Sequence, residues 1–359
     1  MRSLPESGVE TRRLTTLDQA RALVDCVYET YGLTYHRSWL YDAEHVLDQN
    51  QREDVVSFVA MDGARVVGHL GLIRPAFELD DGGAPITSSD TRETGLSLVS
   101  PEARRKGVQA QLAMEAAKWV FEGTLKYSYI KCVTHHVGSQ KGAKRNGGVP
   151  TGLLLGSIPR WVRYDESSPR EDEPISTLQY LVPLRPTEGT VAMPEGFSWL
   201  PRVCAQAGSP RAPLPPRAPA GETRLITKWQ GDRKLAQLHV LCIGRDLVAR
   251  LERELCWLVR GHILHVLIYL PGDDPGLASL GADLLGLGLF PAGWVPRYYA
   301  SGADALLYQT NAFPRLKRSS IEVLDDEAGA VVDHVFEGWA ATRELLAGHL
   351  EGRTAPPPD

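Results

Sequence analysis

Residues 91–134 constrain the fold of this chain more than any other stretch. Thr91 to Val99 has the apolar pattern of a strand, and Pro101 then stops further pairing because it has no backbone N–H to donate. A basic turn, Arg104-Arg105-Lys106-Gly107, runs directly into helical spacing over Gln109–Phe121, and Tyr127–Thr134 is a second strand. Strand, helix and strand in such close order make a parallel crossover. Upstream, Val55–Met61 and Arg65–Ile73 flank Asp62-Gly63, a hairpin signal. Val9–Leu14 reads as a strand. Leu17–Tyr31 reads as a helix with Thr15 or Thr16 as N-cap and Gly32 at its end, and Ala43–Asn50 as a second helix. Ser139–Asn146 is a short helix, and Leu153–Ile158 and Thr177–Val182 are strands. The order β-α-α-β-β-β-α-β-α-β-β predicts an α+β sheet, mixed and mostly antiparallel, flanked by helices.

The basic turn also carries chemistry. A helix start presents unpaired backbone N–H groups and the positive end of the helix dipole, and Arg104, Arg105 and Lys106 add charge. That combination suits a phosphate or pyrophosphate, and Gly107 lets such a ligand approach the backbone. A plain solvated helix terminus has the same local composition. The continuous order of strand end, proline, basic turn and helix is what favours an anion site.

These residues resemble the GNAT superfamily of acyl-CoA-dependent N-acyltransferases, whose signature is Arg/Gln-x-x-Gly-x-Gly/Ala after the fourth strand. Arg104 and Gly107 match it, whereas Gln109 stands at the final small position and Ala110 follows. The resemblance spans about residues 9–184. It implies fourth and fifth strands that splay apart beyond Val99 and Lys131. It also implies acetyl-CoA or another acyl-CoA along Leu98, Val99 and Ser100, with the pyrophosphate on Lys106, Gly107, Val108, Gln109 and Ala110.

Amine attack on a thioester needs a base, a polarised carbonyl and a proton for the leaving thiolate. Glu93, on the strand entering the splay, is the candidate base, and a solvent-facing strand residue is the plain alternative. His135 and His136 follow the fifth strand and titrate near neutral pH when unperturbed. Many relatives carry a tyrosine acid in the next helix, where this chain has Lys144, so Ser139, Gln140 or solvent would serve instead. Tyr28, Tyr31, Tyr35, Trp39 and Tyr41 interleave with His36, Arg37, Asp42 and Glu44, so Tyr31, Tyr35 and Trp39 are candidate acceptor-wall residues.

With 359 residues the chain exceeds one ordinary domain. Residues 1–184 form the first expected unit and 185–221 a linker, extended at the surface over Cys204–Gly221, which holds five prolines. Residues 222–350 form a second unit and 351–359 a disordered tail. Asp165–Pro174 reads as a loop between strands. Leu289-Phe290-Pro291-Ala292-Gly293-Trp294-Val295-Pro296 parallels Gly148-Val149-Pro150-Thr151-Gly152-Leu153-Leu154-Leu155, and Ala305–Asn311 parallels Thr177–Pro183. Between them, Gly221–Trp229 and Ile263–Leu270 read as strands, Asp246–Leu255 as mixed, Pro275–Leu287 as a helix and Val331–His349 as a terminal amphipathic helix. The second unit is therefore expected to be a degenerate GNAT-like copy. It lacks the signature turn over 222–262, so no acyl-CoA is expected there, and Trp294, Arg297, Tyr298 and Tyr299 are candidates to complete the acceptor pocket.

Lys+Arg 39 against Asp+Glu 44 gives a net charge of −5, which disfavours nucleic acid and anionic membranes as partners. Five scattered cysteines without a CxxC pair argue against a disulfide framework and a structural metal. With no apolar run of membrane-spanning length, a cytoplasmic monomer or homodimer is expected. The expected acceptor is a primary amine of a small molecule or peptide. An acyl carrier protein is a second candidate donor, docking on Arg104, Arg105, Lys106, Lys141, Lys144 and Arg145. The competing class is a non-catalytic acyl-CoA sensor or interaction module. A nucleotide-binding protein is disfavoured because neither GxxxxGK[ST] nor GxGxxG occurs.

Overall fold

A computed structural model describes residues 8–353 apart from 36, 76–84, 160, 163–173, 231–233, 264 and 312–315. The expected loop over 165–173 and the tail beyond Arg353 lie outside the described residues. The first half contains β1 (Glu10–Arg13), α1 (Leu17–Tyr31), α2 (Ala43–Gln51), β2 (Val55–Asp62), β3 (Arg65–Ile73), β4 (Thr91–Val99) and α3 (Val108–Glu122). It continues with β5 (Tyr127–Val133), α4 (Gly138–Arg145), β6 (Val149–Ile158) and β7 (Ile175–Pro183). Then follow β8 (Gly189–Val191), α5 (Leu200–Gln206), β9 (Arg211–Pro213), β10 (Arg224–Gln230), β11 (Leu235–Cys242) and α6 (Leu247–Arg260). The chain closes with β12 (His265–Pro271), α7 (Gly281–Gly286), β13 (Phe290–Val295), β14 (Ala305–Asn311) and α8 (Asp326–Arg353). Among the described residues no helix is long and apolar enough to cross a membrane.

Twelve strands form one continuous sheet in the order β1-β2-β3-β4-β5-β7-β6-β13-β14-β12-β11-β10. Each half contributes one parallel pair, β4 with β5 and β11 with β12. The order β4-β5-β7-β6 is mirrored by β11-β12-β14-β13. Strand β2 is buried on both faces. Val55, Val59 and Met61 pack under α1 and α2, while Val56, Phe58 and Ala60 pack against α3. Thr16 caps α1, its hydroxyl accepting from the Gln19 amide while the Gln19 side chain accepts from Thr16 N, a reciprocal capping box.

The halves meet where β6 pairs with β13 at Gly152 and Gly293. Each strand bulges at a Pro-x-Gly, between Pro150 and Gly152 and between Pro291 and Gly293. The two bulges lie back to back so closely that a Cβ on Gly152 would fall 2.5 Å from the Ala292 carbonyl oxygen, so only glycine fits. Buried glutamines complete the seam. Gln179 Nε2 donates to Trp294 O at 3.0 Å and Gln309 Nε2 to Leu153 O at 2.8 Å.

Two expectations need correction. The segment over 185–221 is not simply an extended linker, because it forms β8, α5 and β9 and buries Val191, Phe197, Trp199, Val203 and Cys204 in the core. Its last part, Pro215–Glu222, is largely exposed. The mixed stretch after Asp246 is a regular helix, α6, held by a stripe of Leu247, Leu251, Leu255 and Leu258.

Candidate active site

The sheet opens between β4 and β5. Parallel pairing runs only through Thr91–Tyr127, Arg92–Ser128 and Glu93–Tyr129, so the strands part after Glu93, several residues earlier than expected. The cause lies in β4 itself. Leu96 takes a left-handed φ of 52°, and the register with β3 shifts between His69 and Gly71, so two residues of β4 oppose one of β3. A Cβ on Gly71 would meet Leu96 Cδ1 at 2.9 Å, which makes room for the bulge conditional on glycine. The fully buried His69 donates from Nδ1 to the Leu96 carbonyl at 2.7 Å and pins the bulge.

Burial pushes the His69 imidazole down to about 4 against the raising effect of that bond, so the ring is neutral in the fold. An unfolded histidine titrates near 6.5. Between these values the unfolded state binds more protons, and stability falls as pH drops. This site should therefore cost the protein about 2 kcal/mol between pH 7 and pH 5. His69→Gln should show a shallower fall of urea-unfolding free energy over that interval. An equal slope in both proteins would reject the assignment.

At the far end of β4 the chain makes the anion-site geometry. Arg105 and Gly107 have φ of 63° and 80°, Gly107 caps α3 in the left-handed conformation, and Arg104, Arg105 and Lys106 are exposed. Arg104 Nε donates back to Val99 O at 3.3 Å. Gly68 on β3 lets α3 pack close, since a Cβ there would meet Val108 Cγ1 at 2.7 Å. Gln109, at the small position of the signature, is drawn aside because its Oε1 accepts from Ser97 Oγ at 2.9 Å. The helix start and its turn fit a diphosphate by charge and by amide supply. Leu98 and Val99 pair with His69 and Gly68 of β3, and their opposite side faces the gap left by β5.

Glu93 stands on the last paired rung. Lys131 Nζ lies 2.8 Å from its Oε2, Arg37 Nη2 3.8 Å from its Oε1, and Tyr129 hydrogen-bonds to it. Burial would raise this carboxyl, but the two cations and the hydrogen bonds from Lys131 and Tyr129 prevail and hold it below the usual carboxylate range. Burial first, and then the neighbouring Glu93 charge, drives the Tyr129 hydroxyl well above its ordinary value. Arg37, Tyr129 and Lys131 are the members of this cluster that sequence reasoning assigned no role. Arg37 lay visible between Tyr35 and Trp39.

The other candidates fall into separate groups. His136 Nδ1 accepts from Gly138 N at 3.0 Å and its ring meets His135 edge-on at 4.5 Å. Ser139 faces the buried Cys132 thiol. Gln140 is fully buried, donating to Glu322 O and accepting from Leu324 N, so it is committed to the fold and cannot supply a proton. Lys144 ion-pairs with Asp325 at 3.2 Å and with Glu327. Tyr35 is buried against α1 and α2 with Tyr31 stacked on it at 4.8 Å, so Tyr35 offers no open ring face, and Trp39 packs on the same core. Tyr298 also needs correction. It is fully buried, stacked on Tyr269 at 4.7 Å with its hydroxyl 3.2 Å from His239 Nδ1, and so cannot line an open pocket.

In the second half the corresponding parallel strands stay paired two residues further. Tyr180 lies opposite Ile130 and Tyr308 opposite Ile268, which aligns the halves. Pairing of β4 with β5 stops one residue before Ile130, whereas pairing of β11 with β12 continues to His239–Tyr269, one residue past Ile268. The start of α6 is filled by the chain itself. Asp246 Oδ1 accepts from Thr223 N at 2.7 Å, and a Cβ on Gly244 would strike Glu222 and Thr223 backbone at 2.3 Å. Among the described residues no cluster of His, Cys, Asp and Glu could hold a metal.

Residues 22–147 match the family model described as the acetyltransferase (GNAT) family. No curated protein matches the sequence. Among solved structures, a ribosomal-protein-alanine N-acetyltransferase from Brucella melitensis is 19% identical with a TM-score of 0.37, covering 49% of this chain and 99% of its own. The PaiA N-acetyltransferase from Thermoplasma acidophilum in complex with coenzyme A is 16% identical with a TM-score of 0.33, covering 49% and 98%. An N-acetyltransferase from Staphylococcus aureus Mu50 is 14% identical with a TM-score of 0.36, covering 49% and 99%. Likenesses this distant leave donor and acceptor open. Over residues 22–147 the chain thus carries a segment similar to the acetyltransferase (GNAT) family.

Proposed function

We propose that this chain is an N-acyltransferase that takes an acyl group from acetyl-CoA or another acyl-CoA and gives it to a primary amine. The observation that carries this reading is the opening of β4 from β5 after Glu93, with the Gly107 turn and the start of α3 at the end of the same strand. Acyl-CoA would be held by the Lys106–Ala110 backbone and by the open side of Leu98–Ser100, and when bound it supplies the thioester. Residues 222–350 are read as a second, degenerate copy that keeps the strand order but fills its own helix start.

Glu93 receives the acceptor amine. A carboxylate held low by Lys131 and Arg37 is a weak base, so its basicity rises only when the incoming amine displaces Lys131. His135 and His136 stand after β5 as the second candidates for proton transfer, and the acid for the leaving thiolate is Ser139 or solvent. Release of free thiol from acetyl-CoA with a panel of amines tests the activity. Glu93→Gln should lower kcat by about 10²–10⁴-fold on an accepted amine while leaving acetyl-CoA binding intact. Full turnover in that variant across pH would remove Glu93 from the role.

The Lys144 ion pairs favour a second reading, a non-catalytic acyl-CoA sensor, because they occupy the helix position of the usual acid. Acetyl-CoA binding with no thiol release from any amine would support it. Carrier-protein docking on Arg104, Arg105, Lys106, Lys141 and Arg145 would make an acyl carrier protein the donor, and a donor comparison separates the two.

A further inference from the structure

We infer that the acceptor is an α-amino acid whose ammonium takes the place of Lys131 at Glu93 and whose carboxylate is received by Arg37 and Lys131. This deepens the acyltransferase reading and rests on it. Glu93 stands on the last rung before β4 and β5 part, opposite Tyr129, and Lys131 belongs to the length of β5 that no longer pairs with β4. Distances tie the third member to the same spot. Lys131 Nζ lies 2.8 Å from Glu93 Oε2 and Arg37 Nη2 3.8 Å from Glu93 Oε1, so each cation faces one oxygen of a single carboxylate. Lys131 Nζ also lies 5.4 Å from the centre of the Tyr129 ring, a contact that keeps it in the site once it leaves Glu93.

Two cations against one carboxylate leave a positive charge uncompensated. The side chains of Arg37, Lys131 and Glu93 are only 23%, 19% and 12% exposed, so salt and water screen that charge weakly. Arg37 is the less engaged cation. Its contact with Glu93 is too long for a hydrogen bond, and its Nε is buried with no hydrogen-bond partner among the described residues. Held to the cluster by one long contact, the planar fork can turn to a new partner, and a carboxylate is the shape it matches. A simple amine displacing Lys131 would set a third cation against Glu93. An α-amino acid adds no net charge, and it supplies a carboxylate for Arg37 and the displaced Lys131. Its two charged groups hang on one carbon, a span that suits two cations flanking one carboxylate. In the transfer the C–N bond forms and the thioester C–S bond breaks. Of the three ammonium protons, one stays on the amide, one leaves with the thiol, and one passes to Glu93 and on to solvent. Once it has gone, two cations face two carboxylates.

The test follows thiol release from acetyl-CoA with acceptors that differ only in the carboxylate: phenylalanine, phenylalaninamide and phenethylamine, and leucine, leucinamide and isopentylamine. The expected result is turnover of at least one amino acid at a kcat/KM about tenfold to a hundredfold above its amide and its decarboxylated amine, the range of one charge-assisted contact. In Arg37→Gln that ratio should fall to about one, while Arg37→Lys, which keeps the charge and gives up the fork, should retain part of it. The wild-type ratio and Arg37→Lys carry the test if Arg37→Gln does not fold. A merely structural role for Arg37 would slow all acceptors alike and leave the ratio standing, which overturns the inference. So does a wild type that uses the amines or amides as well as the amino acids. Thiol release with other amines but with none of these six acceptors overturns the inference alone. No thiol release with any amine overturns the acyltransferase reading with it.

Discussion

Acetyl-CoA should raise the Tm of the wild-type protein, and Gly107→Trp should abolish that rise. A ligand that binds only the native state at a hundred times its Kd stabilises by about 2.7 kcal/mol, which differential scanning fluorimetry detects. Gly107 caps α3 with φ 80°, a region that costs an L-residue about 1–2 kcal/mol, so the unliganded variant should also melt lower. The indole would in addition stand over the amides of Val108, Gln109 and Ala110. Gly107→Asn separates the two effects, because asparagine tolerates the left-handed conformation and is small. It should keep a reduced shift. An undiminished shift in Gly107→Trp would place the ligand elsewhere.

That turn was legible because its meaning is local. Pro101, the basic triplet, Gly107 and the helical stripe Val108, Leu112, Ala116 and Val120 follow one another, and each restricts the backbone within a few residues. The hairpin at Asp62-Gly63 and the cap at Thr16 are of the same kind. The splay was located too far along because its cause is not local. His69 and Leu96 are 27 residues apart, and only the β3–β4 register brings the imidazole onto the carbonyl that bulges the strand. Glu93 was singled out as a candidate by its place on the strand. Its partners Lys131 and Arg37 come from a different strand and from the loop after α1, so their damping of its basicity could not be read in advance.

The aromatic residues failed for a further reason. Tyr35 and Tyr298 have the composition of a binding wall, but a ring's role depends on which face of its element meets the core. For α6 the opposite error arose. Half-buried Val248 and exposed Ala249 obscure a leucine stripe that is regular once they are set aside.

Asp304→Ala is expected to lower the free energy of unfolding by about 3–5 kcal/mol, the usual result of breaking a buried pair from one side. Arg211 and Asp304 are 2% and 5% exposed, with Nε to Oδ2 at 2.7 Å and Nη2 to Oδ1 at 3.3 Å. The same carboxylate accepts from Trp294 Nε1 at 2.8 Å and from Arg297 N at 2.9 Å. Removing it leaves a guanidinium buried without counter-charge and two further donors unpaired. Asp304→Asn, which keeps an acceptor and the volume, should lose less. Urea unfolding followed by tryptophan fluorescence measures both, and a loss below about 1 kcal/mol for Asp304→Ala would reject the argument. The pair also decides how the halves cooperate. Arg211 belongs to β9 and Asp304 immediately precedes β14, so the pair ties the 185–221 segment to the second half. The β13–β14 loop in turn grips the base of β4 through Arg297 and Asp90. Loss of the carboxylate should therefore weaken acetyl-CoA stabilisation of the first half as well as lower Tm. A variant that melts earlier yet keeps the full acetyl-CoA shift would show that the first half holds its opening without help from the second.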